Sequence, residues 1–486
     1  MDFAYSARTE NLRGQVRGFL DQHIVPRLGQ WQREVAAGAF PVSFMEDLKA
    51  LARSEGLWNL FLPSLGADEP GQGLSNLEYA PLAEIMGRVS WASEVFNCNA
   101  PDTGNMELLH MFASDEQRER WLNPLLNGEI RSAFAMTEPD VASSDATNIQ
   151  TLIRREGDEY VISGRKWFIT NASHPECAFL IVMGKTDPNG EPRRQQSMVI
   201  VPFDTPGVEL VRNIPVMHHL APEGHSELIF RDVRVPVGNL LGAEGDGFMM
   251  AQARLGPGRV HHCMRAIGMA ELALELMVER ALERKTFGRY LHQHGSVSEW
   301  IARSRMEIEQ ARLLVLKTAW MIDNVGAKGA RKEIAMIKAV VPSMLNGGVD
   351  RAMQVFGAMG LTPDTPLADL WISSRCLRIA DGPDEVHLRS IARLEIAEGQ
   401  EPSLSGTSGP RERRAPARWA ALQQTPSSPA AAWTSWCSSL SGRAPSLSGT
   451  SGPRERRAPA RWAALQQTPC SPAVRLDELV RFLPAH

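Results

Sequence analysis

The sequence predicts a mostly α, α+β protein: an N-terminal helical domain, a middle antiparallel β domain, a C-terminal helical bundle and a disordered tail. Three observations predict it. Apolar residues recur at helical spacing up to about residue 130, short β-rich runs then alternate with turn sequences, and long helical periodicity returns at Gly247 before the composition changes at residue 401. With 486 residues, 43% of them hydrophobic and 22% charged, the chain is long enough for two or three cores. Its net charge of −4 gives no footing for nucleic acid or for a polybasic membrane anchor.

Residues 1–130 make the first domain, where Leu12, Val16, Phe19 and Leu20 keep helical spacing and Met45, Leu48, Leu51 and Leu57 repeat it. The opening MDFAYSARTENLRGQ is polar and carries no secretory signal. Residues 131–245 make the β domain, with the runs EYVISG, CAFLIVMG, QSMVIVPF, GVELVRNIPV and HSELIFRDVRVP and the turn Asp187-Pro188-Asn189-Gly190. Residues 246–400 make the helical bundle, with Leu272, Leu276, Met277 and Leu282 on its first helix and Glu275 and Arg280 among the polar positions. No apolar run approaches the roughly 18 residues of a membrane span. Six scattered cysteines without a CxxC pair fit free thiols in a reducing compartment. A cytoplasmic protein of bacterial type is expected, or a mitochondrial or peroxisomal one should the source be eukaryotic.

Residues 401–486 form the tail. PSLSGTSGPRERRAPARWAALQQTP occupies Pro402–Pro426 and recurs letter for letter at Pro445–Pro469. Identity this strict is unlike a solenoid, whose repeats share only a pattern, and points to a recent duplication or a frame artefact. Pro, Ser, Gly, Arg and Ala without apolar periodicity predict disorder. The closing VRLDELVRFLPAH regains helical periodicity.

The common nucleotide signatures are missing, and Gly256-Pro257-Gly258-Arg259 matches none of them. His218-His219 and His261-His262 are adjacent pairs that face different ways, so they are expected as surface or pocket histidines rather than metal ligands, and no metal is expected.

Five separated segments carry the chemistry. The first runs from Phe134 through Met136, Thr137, Glu138, Pro139, Ala142, Ser143 and Ser144 to Asp145. Its small residues let backbone N–H groups approach anionic oxygens, and a short hydroxyl fits beside a planar ring, although a turn with a helix cap fits as well. The second, Lys166-Trp167-Phe168-Ile169-Thr170-Asn171, also suits an edge strand entering a turn. The third, Glu283-Arg284-Lys285-Thr286-Phe287-Gly288, presents a guanidinium suited to bidentate phosphate contact. The fourth runs from Gln354 through Gly357 to Gly360, and also suits a glycine-mediated helix contact. The fifth, Ile379-Ala380-Asp381-Gly382-Pro383-Asp384-Glu385-Val386-His387, also suits a plain turn.

In this order and spacing the five segments resemble the acyl-CoA dehydrogenase family over about residues 10–398. The resemblance implies FAD as cofactor. Phe134, Met136, Thr137, Ala142, Ser143 and Ser144 would line the flavin and its pyrophosphate. Thr170 would bond flavin N5, with Phe168 covering the ring and Ile169 beside it. Arg284, Phe287, Gln354 and Gly357 would meet the FAD of a neighbouring subunit, which implies a homodimer or homotetramer. Gly382, Pro383 and Asp384 would border the FAD. Asp381 falls on the family's catalytic carboxylate, where Glu is usual, and Pro383 replaces the usual Thr. The DGPDEVH form resembles the long and very-long-chain branch related to kinase-fused members. A second group of members places its base on an earlier helix, but Gly258 occupies that position here. Gly256, Pro257, Gly258 and Arg259 would line the substrate entrance, with Ser144 and Asp381 also meeting substrate.

By the same resemblance, Asp381 takes the α-proton of a fatty acyl-CoA, the β-hydride passes to flavin N5, and the trans-2-enoyl-CoA leaves. The Asp381 N–H would help hold the thioester oxygen, burial is expected to raise the Asp381 pKa, and electrons would pass to an electron-transfer flavoprotein. A nitroalkane-oxidase-like enzyme using the same Asp, and a non-catalytic flavoprotein, are the competing readings.

Overall fold

The computed structural model describes residues 4–63, 65–66 and 68–400; the duplicated tail, with the disorder expected there, lies outside the described residues. The N-terminal part contains α1 (Ala7–Phe19), α2 (Leu28–Ala36), α3 (Met45–Ser54), α4 (Asn76–Met86), α5 (Ala92–Val95), α6 (Asp102–Phe112), α7 (Asp115–Gln117) and α8 (Asn123–Asn127). Local chemistry sets their starts. Ser75 accepts the Glu78 N–H while the Glu78 carboxylate accepts the Ser75 N–H, a reciprocal cap that satisfies two otherwise orphaned donors of α4.

The β part holds β1 (Arg131–Ala135), β2 (Leu152–Glu156), β3 (Glu159–Thr170), β4 (Cys177–Lys185), β5 (Gln196–Pro202), β6 (Val208–Asn213), β7 (His225–Pro236) and β8 (Leu240–Leu241). The sheet order is β6-β7-β3-β2-β4-β5-β8, with β1 added on β4. The five apolar runs expected from the sequence correspond to β3 to β7. Most pairs are antiparallel as expected, but β1 runs parallel to β4, because the chain completes the β2–β3 hairpin before β4 begins and so re-enters from the same end as β1. Ile153, Ile162, Leu180, Val182, Val199, Val201, Leu228 and Phe230 fill the core of this part. At roughly 25 cal/mol per Å² of apolar area, each such side chain contributes about 1.5–3 kcal/mol.

The C-terminal part begins with α9 (Gly247–Glu283), followed by the small hairpin β9 (Lys285–Thr286) and β10 (Arg289–Tyr290), then α10 (Gly295–Gly329), α11 (Arg331–Phe356), α12 (Leu367–Leu377) and α13 (Asp384–Gln400). Helix α9 is the spine, packing on α4, α10 and α11. Its crossing with α4 is close enough to demand glycine. A Cβ at Gly268 would stand 1.8 Å from the Glu84 carbonyl oxygen, and one at Gly87 would stand 2.0 Å from that of Arg265. The segment Arg378–Pro383, between α12 and α13, then meets the middle of α9 and α11.

Candidate active site

The α12–α13 connection is a tight corner. Asp381 has φ +56° and Gly382 φ +104°, so a side chain stands in the left-handed region that glycine favours. Cations reach in from two other helices to hold it. Lys338 of α11, 1% exposed, donates from Nζ to the Ala380 carbonyl at 2.8 Å and the Leu377 carbonyl at 2.5 Å, thereby capping the end of α12. Arg259 of α9 donates from Nε to the Asp381 carbonyl at 2.9 Å. On the far side Arg378 Nε donates to Asp384 Oδ2 at 2.7 Å, while the Asp384 N–H donates to the Arg378 carbonyl at 3.2 Å. A Cβ at Gly382 would lie 2.9 Å from His387 Nε2, so the corner admits no larger residue without displacement.

The Asp381 carboxylate points to α9, where His262 Nε2 lies 3.4 Å from Oδ2. Arg254, about two turns before His262 on the same helix, is buried. Its Nε donates to Asn105 Oδ1 at 3.0 Å, and its guanidinium carbon sits 4.0 Å above the Phe134 ring. Gly104 makes that seat possible, since a Cβ there would come within 3.0 Å of the guanidinium carbon. Gly258 has open space beside it, and Gly256 approaches Ala327 next to the kink of α10 at Gly326. No ionisable group stands at Gly258, as the sequence requires.

The raised Asp381 pKa expected from the sequence is corrected here. Burial does push the carboxyl up, but His262, Lys338, Arg254 and Arg259 together hold it below its ordinary value. Burial drives His262 itself down to about 4, so at neutral pH the downward pull comes from Lys338 and the two arginines. The expectation missed them because they lie far away in sequence.

A second cluster is built by the β part. After β1, the residues Met136–Asp145 form a loop braced by Lys166. This lysine, 0% exposed, donates to the Met136 carbonyl and Glu138 Oε1 at 2.8 Å and to the Met183 carbonyl at 2.7 Å. Glu138 in turn accepts the N–H groups of Gln150 and Thr151 at 2.7 and 2.9 Å. The Ser143 hydroxyl accepts the Glu138 N–H at 2.9 Å and is spent inside the loop, whereas Ala142 and Ser144 are exposed on its rim. The Trp167 N–H donates to the Thr137 carbonyl at 3.0 Å, tying β3 to the loop.

At Phe168 the β3–β7 register slips, φ turns to +53°, and the ring emerges 43% exposed beside Trp167. Thr170 Oγ1 pairs with His225 Nδ1 at 2.9 Å. The Ile169 side chain lies in the core, 1% exposed, which leaves only its backbone to meet a ligand. Strand β2 pairs with β3 only over Glu159–Ser163, so the second segment has a strand partner, β7, on one side only and runs from there into a turn, as an edge strand does.

The remaining sequence-predicted residues stand elsewhere. Arg284 closes α9, 25 residues beyond Arg259 and therefore roughly 38 Å along the helix. Phe287 projects from the adjoining hairpin, 94% exposed with φ +50°, and Gln354 and Gly357 are exposed at the end of α11. Arg280 over the Phe356 ring joins these two ends. One chain thus brings Asp381, Gly382, Pro383 and Asp384 together with Gly256, Pro257, Gly258 and Arg259, and sets Arg284, Phe287, Gln354 and Gly357 apart from them. Sequence reasoning missed Arg254, Lys338, Lys166 and His225, and it read His262 as an ordinary pocket histidine. A polar residue on an apolar helical face, as Lys338 is among Ile334, Ile337, Val341 and Leu345, was the available signal.

Among the described residues there is no group of three or more His, Cys, Asp or Glu side chains placed to hold a metal, and no helix is long and apolar enough to cross a membrane.

Family models match nearly all of the described chain: the acyl-CoA dehydrogenase N-terminal domain over residues 6–129, the middle domain over 133–233 and the C-terminal domain over 245–395. FadE2 of Mycobacterium tuberculosis is 54% identical over 402 residues, covering 82% of this chain and 97% of that protein. Acyl-CoA dehydrogenase family member 11 of Gallus gallus is 50% identical over 409 residues, covering 81% of this chain, and the chain spans only 51% of its length. A solved acyl-CoA dehydrogenase-type structure from Mycobacterium abscessus superposes with a TM-score of 0.79 at 50% identity, covering 82% of this chain and all of that one. A structure of PigA with FAD and proline superposes with a TM-score of 0.71 at 25% identity, covering 82% of this chain and 100% of that one.

Proposed function

This chain belongs to the acyl-CoA dehydrogenase family, and from that premise we propose that it converts a fatty acyl-CoA to the trans-2-enoyl-CoA with Asp381 as the α-proton base. The family is one of flavin oxidoreductases, and FAD is the cofactor. The observation that carries the reading is the Asp381 corner: a partly buried carboxylate on a left-handed residue, set near Lys338, Arg254 and Arg259, the last of which follows the Gly-Pro-Gly stretch of α9.

The residues present fit FAD. Asp384 Oδ1 is a buried acceptor with no protein partner among the described residues, and it adjoins Gly382, whose lack of a Cβ keeps the corner open. The Met136–Ser144 loop offers a Thr hydroxyl and exposed small residues, and β3 adds the half-exposed Phe168 ring. Thr137, Ser144, Phe168 and Thr170 would hold the cofactor from one subunit. Arg284, Phe287, Gln354 and Gly357 would do so from a neighbour, because the long α9 keeps them from the same chain's Asp381. That geometry supports a homo-oligomer. When bound, FAD supplies the acceptor for the β-hydride.

The protein's own contribution starts with charge. Lys338, Arg254 and Arg259 keep Asp381 ionised at neutral pH, so the base is ready before substrate arrives. Among the described residues the Asp381 N–H has no backbone acceptor, which leaves it available to the thioester oxygen as negative charge develops there. The buried Arg254 adds positive potential beside Asp381. An electron-transfer flavoprotein is the proposed electron acceptor.

Anaerobic titration of the yellow protein with saturated acyl-CoAs of graded length tests this reading. Bleaching of the flavin by an acyl-CoA is expected, with the preferred length reporting pocket depth. Bleaching by a nitroalkane but by no acyl-CoA would replace the substrate class, and no bleaching by either would leave a non-catalytic flavoprotein.

A further inference from the structure

We propose that His262 is a positioning residue for the base, holding the Asp381 carboxylate through Nε2–H while Arg265 fixes its tautomer. The inference rests on the reading of Asp381 as the base. A guanidinium has donors only, and Arg265 places one 3.2 Å from His262 Nδ1. Nδ1 must then accept, so the neutral ring carries its proton on Nε2. That nitrogen lies 3.4 Å from Asp381 Oδ2, a separation that tightens readily once a site is occupied. Arg265 is itself anchored, being buried and donating to the Cys98 carbonyl at 3.3 Å. The neighbouring His261 turns the other way and packs edge-on to Tyr79 and Phe61, which locks the rotation of α9 and aims His262 at the base.

The need for such a guide follows from the residue type. Aspartate is one methylene shorter than glutamate, so its carboxylate has less reach and its direction matters more. The groups facing Asp381 are His262, Arg254 and Arg259 of α9 and Lys338 of α11, with His387 and Asp384 of α13 behind the corner. Among these, Lys338 and Arg259 bind main-chain oxygens, and the contact to the carboxylate itself comes from His262. A role as proton acceptor is disfavoured, since burial, with the charges of Arg265, Lys338 and Arg254, outweighs the attraction of Asp381 for a second proton on this ring.

The test uses the FAD-loaded full chain and the saturated acyl-CoA that bleaches the wild-type flavin fastest. Reduction rates are followed by anaerobic stopped flow across pH 5–9 in His262→Leu, His262→Gln and Asp381→Asn. His262→Leu should lower the limiting rate about 10- to 100-fold, as expected for a misplaced reacting group, with acyl-CoA affinity unchanged. Its acid limb should move to higher pH, because a hydrogen bond favouring the carboxylate is gone. His262→Gln, which retains a donor, should recover most of the rate. A wild-type rate and pH profile in His262→Leu, alongside an inactive Asp381→Asn, would overturn the inference and leave the base intact. Rapid bleaching in Asp381→Asn would overturn the base and the inference together. Should the Leu variant not fold, His262→Phe, which keeps the ring's volume without a donor, is read by the same criteria.

Discussion

Two non-glycine residues in left-handed conformation mark the two halves of the site, Phe168 on β3 and Asp381 between α12 and α13, and they are held by different means. Phe168 is fixed from both sides of the chain. The ladder with β7 resumes at Ile169, the Trp167 N–H ties the turn to Thr137, and the Lys166–Glu138 pair braces the loop beneath. Asp381 has no sheet around it. Its corner is held by Lys338 and Arg259 reaching carbonyl oxygens from helices that pass it. A strained turn inside a ladder is thus determined locally, whereas one between helices depends on long-range charge.

The largest expected effect that would break this contrast is Lys166→Met. It leaves Glu138 buried without its cation and should cost about 3–5 kcal/mol, moderated by the Gln150 and Thr151 N–H groups. Loosened FAD binding should accompany it, read as flavin content after gel filtration, and adding Glu138→Gln should restore part of the stability. Lys338→Met should come next, at about 2–3 kcal/mol for two carbonyls left unpaired. Here the flavin should stay bound while turnover falls. If both lysine variants lost FAD and activity in the same proportion, the two halves would not be separately supported. Gly382→Ala should cost about 1–2 kcal/mol from its positive φ and the His387 contact, again with turnover falling more than flavin content.

The same contrast explains what could be read from the chain alone. The β segments and the loop motifs were legible because each is one continuous stretch whose chemistry lies within a dozen residues, as in Phe134–Asp145. The parallel pairing of β1 was not, since it depends on where the β2–β3 hairpin returns the chain. The position of Asp381 was legible, but its lowered pKa was not. The groups responsible, Lys338, Arg254 and Arg259, precede it by 43, 127 and 122 residues and gather only when α9 and α11 pack. His262 was present in the sequence as half of a histidine pair, and only the rotation of α9 separates its role from that of His261.

The smallest effect on turnover is expected at Glu107, which lies near Arg254. Burial pushes its carboxyl up to about 8, with Arg254 pulling the other way. It is therefore mostly neutral at pH 7 and leaves the charge of Arg254 to Asp381. A carboxyl raised in the folded state contributes stability that is complete below its unfolded value of 4.5 and is lost as the pH rises toward 8. Glu107→Gln should flatten that fall in thermal unfolding between about pH 4.5 and 8, with flavin reduction at neutral pH unchanged. A wild-type pH dependence of stability would show that Glu107 ionises freely and competes for Arg254.

The account turns on Asp381, and one measurement meets it directly: anaerobic mixing of FAD-loaded Asp381→Asn with an acyl-CoA that bleaches the wild-type protein. The variant should keep its yellow flavin and bind the acyl-CoA, while bleaching slows by about 10³-fold or more, the upper range for removing a general base. Bleaching within about tenfold of wild type would contradict the account and place the α-proton base elsewhere.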